Sequence, residues 1–259
     1  MHANWLIFTD LDGTLLDHDS YDFSPALPAL KRLKARKIPI IPVSSKTLAE
    51  LEGYVAELGL DGPVIAENGC VILLPDRQPQ ITIPTYQELR DYLHHLRQEF
   101  GWQFIGFGDM TVQQVIDATG LTDAAARLAM QRLASEPLLW QDSPEQLQRF
   151  TKEIRSRGLR LLRGGRFLHL LGDMDKGRAL HLVVDWYRQR GTRDIKTIAL
   201  GDSGNDIDML VSVDIPVIIR KPDGTHLDLS ERVDVVVSEL PGPAGWNQSL
   251  NRLLDRHGD

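Results

Sequence analysis

The sequence has a single cysteine, Cys70, in 259 residues. An intrachain disulfide is therefore impossible, and a zinc centre built on several thiolates is excluded. No apolar run is long enough to cross a bilayer, and the opening MHANWLIFTD meets Asp10 before it builds the apolar stretch of a signal peptide. These absences lead us to expect a cytoplasmic protein with no membrane partner. Positive charge is also scarce. The 29 Lys and Arg face 36 Asp and Glu, a formal net charge of -7, so a nucleic-acid backbone has no general electrostatic reason to bind. The five tryptophans are scattered and form no stacking platform visible in the sequence. Low-complexity tracts and internal repeats are absent too, and a small-molecule partner is the expectation that remains.

What is present is an ordinary globular composition, 42% hydrophobic and 25% charged, in a chain long enough for one large core with or without an inserted module. The first third alternates short apolar runs with amphipathic patterns, the signature of a parallel sheet covered by helices. Strands are expected at Trp5 to Thr9, Ile38 to Val43 and Val64 to Ala66. Between them, Ser24 reads as an N-cap with Pro25 at the first helical position and Leu27, Leu30 and Leu33 as the buried face. A second helix carries Leu48, Leu51, Val55 and Leu58.

From Thr85 the texture changes. Thr85 with Glu88, Thr111 with Gln114 and Ser143 with Gln146 each match a capping box, and short strands are expected at Gln103 to Phe107, Leu138 to Trp140, Leu159 to Leu162 and Phe167 to Leu171. That is an α+β module with a largely antiparallel sheet, bracketed by the turn at Pro84 and by Gly172. After Lys176 the parallel pattern resumes, with buried runs at Thr197 to Leu200, Ile215 to Ile219 and Val233 to Val237.

Two acidic motifs end apolar strands. Asp10-Leu11-Asp12-Gly13-Thr14 places two carboxylates at a strand's carboxyl end, where open α/β sheets bind ligands, and one can attack while its neighbour handles protons. Gly201-Asp202-Ser203-Gly204-Asn205-Asp206 does the same after the Thr197 to Leu200 run, and carboxylates are the ligands a hard cation such as Mg²⁺ prefers. Taken singly, each also suits a solvated turn or a helix cap. Ser44 and Lys176 lie between them; a hydroxyl and an ammonium are what the oxygens of a transferring phosphoryl group need, though either residue alone is equally a cap or a solvated turn residue.

The set DLDGT, Ser44, Lys176 and GDSGND, in this order, resembles the motifs of the haloacid dehalogenase (HAD) superfamily of phosphatases. The resemblance implies an α/β fold: a Rossmann-like HAD core with a parallel sheet, residues 1–84 and 172–259, plus an inserted α+β C2-type cap domain, residues 85–171. It implies catalytic roles for Asp10 as nucleophile, Asp12 as acid and base, and Ser44 and Lys176 as phosphoryl holders, with Mg²⁺ at Asp10, Asp12, Asp202 and Asp206. VSSKT, AENG, RGGRFLHLLG and GPAGW are similar to the mannosyl-3-phosphoglycerate phosphatase subfamily. That likeness implies a phosphorylated sugar acid, mannosyl-3-phosphoglycerate or glucosyl-3-phosphoglycerate, as substrate, and a monomer or homodimer. Sucrose phosphate or trehalose phosphate would suit the same core with other cap contacts. Expected substrate contacts are Leu11, Gly13, Ser45, Lys46, Thr47, Glu67, Asn68 and Asn205 from the core, and Arg163, Gly164, Gly165, Arg166 and His169 from the cap.

Overall fold

The computed structural model describes residues 4–257 apart from Asp76, Gly165 and Glu231. The chain opens with β1 (Asn4–Thr9), buried on both faces after its first residue, as a central strand between two helical layers must be. α1 (Leu27–Ala35), β2 (Ile40–Pro42) and α2 (Leu48–Leu58) complete the first parallel unit. β3 (Val64–Ala66), β4 (Val71–Leu73) and β5 (Gln80–Ile81) form a small antiparallel sheet, tied to the end of β2 by a bridge between Val43 and Ile65.

Next come α3 (Tyr86–Phe100), β6 (Phe104–Gly106), α4 (Val112–Thr119), α5 (Asp123–Ala129), β7 (Ser135–Trp140), α6 (Pro144–Ser156), β8 (Arg160–Gly164) and β9 (Phe167–Leu171). Their strands pair antiparallel in the order β6-β7-β9-β8. α7 (Lys176–Gln189), β10 (Ile195–Gly201), α8 (Ile207–Val211), β11 (Ile215–Arg220), β12 (Val236–Pro241) and α9 (Gly242–His257) return to the main sheet, whose parallel order is β12-β11-β10-β1-β2. The architecture is thus an α/β core with an inserted antiparallel α+β cap, as expected from the sequence.

The main sheet shares one apolar core with the small β3-β4-β5 sheet, and the four-stranded antiparallel sheet has its own. Phe8, Leu11, Leu33, Ile41 and Trp246 belong to the main one. The antiparallel sheet packs α3 and α6 around fully buried Phe150, which lies edge-on to Trp102 at 5.3 Å and 5.0 Å from Trp140. Burying such a ring contributes about 1.5–3 kcal/mol. Two of the scattered tryptophans are therefore brought together as core.

Local departures from the sequence reading have local causes. Ser24 is not an N-cap: its N–H and hydroxyl donate to Asp22, and the chain enters α1 through a 3-10 turn at Ser24–Ala26. The buried face of α1 consequently falls on Ala29, Leu30 and Leu33, and Leu27 is exposed. Thr85 and Thr111 make reciprocal capping boxes, but Ser143 caps α6 one way only, because the Gln146 carbonyl accepts from the Trp102 indole at 3.0 Å. α5 was not expected; Thr122 caps it alone, since Ala125 three residues on has no side chain to reciprocate. Val233 sits outside β12 and fully exposed, between Arg232 and Asp234, which pair with each other at 2.5 Å.

Candidate active site

β1 and β10 are adjacent, with Thr9 opposite Leu200, so the residues that follow them, Asp10 and Asp202, emerge side by side. β2 departs on the other side of β1, which makes this strand end the point where the crossovers diverge and a crevice opens. Asp10 is anchored by its N–H donating to the Leu200 carbonyl at 2.9 Å. Trp246, from GPAGW, braces the same strand end by donating its indole N–H to Thr9 Oγ1 at 3.0 Å.

One carboxylate oxygen from each of Asp10, Asp202 and Asp206 lies within 4.8 Å of the others. Lys176, the first residue of α7 and fully buried, donates from Nζ to Asp10 Oδ1 and to Asp206 Oδ1 at 2.6 Å each. Asp206 Oδ2 accepts the backbone N–H groups of Asp202 and Ser203 at 3.1 and 3.0 Å, so both of its oxygens are already committed. Thr14 Oγ1 donates to Asp202 Oδ1 at 3.3 Å. Gly13 has φ +77°, and a Cβ there would lie 2.9 Å from Asp202 Oδ2, so DLDGT needs glycine for its turn and for the approach of β10's loop.

Three acids and one ammonium leave this crevice with excess negative charge. Burial, reinforced by Asp206 and opposed by Lys176, holds the Asp10 carboxyl well above the usual carboxylate range. The same causes push Asp202 up to about 6. Burial disfavours the Lys176 ammonium, but Asp10 and Asp206 outweigh it and raise its pKa. A buried set of carboxylate oxygens short of positive charge fits a hard divalent cation. A raised carboxyl pKa contributes stability that is complete below the ordinary value of 3.8 and is lost as pH climbs through about 6. Metal-free protein is therefore expected to lose melting temperature between pH 4 and pH 7 through Asp202, and a divalent cation to raise it more at pH 7 than at pH 5. Thermal scans with and without the cation check this; an equal shift at both pH values would detach the carboxylates from the metal.

The loop after β2 forms the next wall. Ser44 is buried and its Oγ accepts the Lys46 N–H at 3.2 Å. Lys46 Nζ pairs with Asp12 Oδ2 at 2.9 Å, and Asp12 is not one of the three carboxylates grouped within 4.8 Å. Thr47 is the N-cap of α2, and its hydroxyl lies 2.9 Å from the Leu128 carbonyl. The Ser45 carbonyl accepts from Arg132 Nη1 at 2.9 Å. Glu67 is fully buried and takes the N–H groups of Leu133 and Ala134 and the Ser135 hydroxyl at 2.8, 3.0 and 2.7 Å, leaving it clasped to the segment that leads into β7 rather than turned to a ligand. Asn68 Oδ1 accepts from Asn205 Nδ2 at 3.1 Å, while its own Nδ2 is enclosed without a partner among the described residues. Beside it, a Cβ at Gly69 would collide with the Asp175 carbonyl at the start of α7. AENG is thus a hub joining the Ser44 loop, the lysine helix and the Asp202 loop. Leu11 is buried in the main core, and the Gly13 N–H is taken by the Leu16 carbonyl.

From the antiparallel sheet, His169 on β9 reaches the cleft. Burial, with the Arg132 and Lys176 cations, pushes its imidazole down to about 3, so the ring is neutral. Gly164 packs against it, a Cβ there lying 3.1 Å from His169 Nε2. Arg163 is exposed, and Arg166, also exposed, donates to the Ala118 carbonyl of α4 at 2.5 Å. Gly165 lies outside the described residues. Residues not anticipated are Arg132, Tyr21, Tyr54 and Thr14; only Thr14 carried a signal, its place in DLDGT.

Neighbouring parallel strands that end in acids sharing one buried lysine define a class of α/β hydrolase. The model for haloacid dehalogenase-like hydrolases matches residues 7–118, and the chain belongs to that family, among its phosphatases. It is 38% identical to a glucosyl-3-phosphoglycerate/mannosyl-3-phosphoglycerate phosphatase of Methanococcoides burtonii, covering 98% of both chains. A protein of the same description from Persephonella marina is 36% identical over 96% of this chain and 97% of its own. Among solved structures, a HAD phosphatase from Bacteroides thetaiotaomicron superposes with a TM-score of 0.72 at 22% identity, covering 99% of this chain and 96% of that one.

Proposed function

We propose that this enzyme is a Mg²⁺-dependent phosphatase that hydrolyses mannosyl-3-phosphoglycerate or glucosyl-3-phosphoglycerate through an aspartyl-phosphate on Asp10. The observation that carries the reading is the Lys176 ammonium held 2.6 Å from both Asp10 and Asp206. It fixes the Asp10 carboxylate through Oδ1, leaving Oδ2 for attack. In the first displacement that oxygen bonds to phosphorus as the bond to the sugar-acid oxygen breaks, and Asp12 supplies the proton the leaving oxygen takes up. In the second, Asp12 removes a proton from water as it attacks the aspartyl-phosphate, releasing phosphate and restoring Asp10. Ser44 and Lys176 hold the phosphoryl oxygens, with Asn68 Nδ2 an enclosed donor nearby. Asp10 and Asp202, with the Asp12 carbonyl, would hold Mg²⁺, and Asp206 orients Lys176 and the Asp202 loop. When bound, Mg²⁺ supplies the positive charge that this crevice lacks.

We take residues 85–171 as the cap that selects the substrate. The two relatives named for glucosyl- and mannosyl-3-phosphoglycerate match almost end to end, cap included, which supports the same substrate class here. Neutral His169 suits a sugar hydroxyl, and the exposed Arg163, with no ion-pair partner among the described residues, suits a carboxylate. Phosphate release from mannosyl-3-phosphoglycerate, glucosyl-3-phosphoglycerate, sucrose 6-phosphate and trehalose 6-phosphate tests the reading. The two glycerates are expected to be strongly preferred and EDTA to stop the reaction; equal rates on all four would contradict the substrate.

A further inference from the structure

Asp12 differs from the other acids at the strand ends. Its carboxylate is split: Oδ2 pairs with Lys46 Nζ at 2.9 Å, whereas Oδ1 is enclosed with no partner among the described residues. The ammonium that holds it is itself held. Lys46 is only 9% exposed, and Nζ lies 5.0 Å from the centre of the Tyr21 ring and 5.8 Å from that of Tyr54. A lysine head group ordinarily roams on its four-carbon stem, and two aromatic faces take that freedom away. Its main chain is equally fixed, with the N–H on Ser44 Oγ and the carbonyl accepting from Glu67 N–H at 2.9 Å.

We propose that Lys46, caged by Tyr21 and Tyr54, is a positioning residue that locks the Asp12 carboxylate with Oδ1 facing the ester oxygen that leaves. The inference rests on Asp12 carrying the proton in the reaction above, and it reassigns Lys46, which the sequence suggested as a substrate contact. A cation already matched to a carboxylate at 2.9 Å is committed to that partner. As the phosphorus–oxygen bond breaks, its electron pair goes to the leaving oxygen, and the proton on Asp12 Oδ1 passes to the same oxygen. A carboxylate free to turn about its Cβ–Cγ bond would miss that oxygen for much of the time. An ester whose leaving oxygen is stable as an anion needs no such proton; an alkyl ester does.

The test is kcat/KM for p-nitrophenyl phosphate, phenyl phosphate and ethyl phosphate, none of which carries a carboxylate. Lys46→Met, of similar length and apolar stem, is expected to lose about 100-fold on ethyl phosphate and less than about three-fold on the nitrophenyl ester, the range of a lost general acid. Tyr21→Leu, at a half-exposed loop position away from the core, is expected to show the same gradient on a smaller scale. A uniform loss across the three esters in both variants overturns the inference, as does full activity of both variants on all three. Wild-type protein that releases no phosphate from either sugar-phosphoglycerate with Mg²⁺ would overturn the proposed reaction as well, whereas an unchanged leaving-group dependence in active variants overturns this inference alone.

Discussion

Asp10→Asn is expected to lower kcat on the order of 10⁵-fold, the scale of losing a covalent nucleophile, while leaving the melting temperature at or above that of the wild type. The amide matches the carboxylate in shape and its carbonyl can still accept from Lys176, so the fold loses no contact. It does lose a charge that the fold does not favour. Burial and Asp206 hold the Asp10 carboxyl above its ordinary pKa, so its ionised form costs stability near neutral pH. The gain from the amide is therefore largest at neutral pH and disappears at acidic pH, where the native carboxyl is already protonated. Activity falling while stability holds or rises is the pattern of a residue kept for chemistry against its cost to the fold. Steady-state rates and thermal scans at pH 5 and 7.5 check both halves. Residual turnover within ten-fold of wild type would remove Asp10 from the nucleophile's role.

Lys176→Met should fail in the opposite way, losing both stability and activity. The methionine fills much of the space, but it leaves Asp10 and Asp206, each 2.6 Å from the missing ammonium, buried without their counter-ion. Breaking a buried pair from one side costs about 3–5 kcal/mol. Lys176 is what opposes the upward push of burial on the Asp10 carboxyl, so without it that carboxyl shifts further upward and folded protein takes up a proton that unfolded protein does not. The deficit then grows as pH rises and shrinks at pH 5. A divalent cation should restore part of the melting temperature by replacing the charge. It should not restore catalysis if, as proposed, the ammonium also holds a phosphoryl oxygen, since removing one such donor costs about 10²–10³-fold. A melting deficit independent of pH would show that Lys176 acts by packing rather than by charge.

The catalytic half of the molecule was legible because its signals reinforce one another over long separations. DLDGT and GDSGND are ambiguous turns until adjacent β1 and β10 set them side by side, and Lys176 is an ordinary turn lysine until both acids surround it. The cap was legible in outline where helix starts carry reciprocal caps, as at Thr85 and Thr111, and illegible at α5, where alanine occupies the third helical position after Thr122. The substrate side was harder, because the neighbours of a polar residue are settled by packing. Glu67 and Thr47 look like ligands in AENG and VSSKT, yet Glu67 is spent on three donors of the 133–135 segment and Thr47 on capping α2. Arg132 is the reverse case. Nothing in the run MQRLASE announces that its guanidinium is buried, bonded to the Ala129 and Ser45 carbonyls, and close enough to His169 to reinforce burial in keeping that ring neutral.

An aspartyl-phosphate on Asp10 can be trapped chemically. Wild-type enzyme turning over a sugar-phosphoglycerate with Mg²⁺ would be quenched in acid, reduced with borohydride, digested and analysed by peptide mass spectrometry. The peptide containing Asp10 is expected to carry the acyl-phosphate, read after reduction as homoserine at position 10, and Asp10→Asn is expected to give none. Homoserine at another aspartate, or none at any position under quench conditions that trap an acyl-phosphate in a control phosphatase, would contradict an intermediate on Asp10.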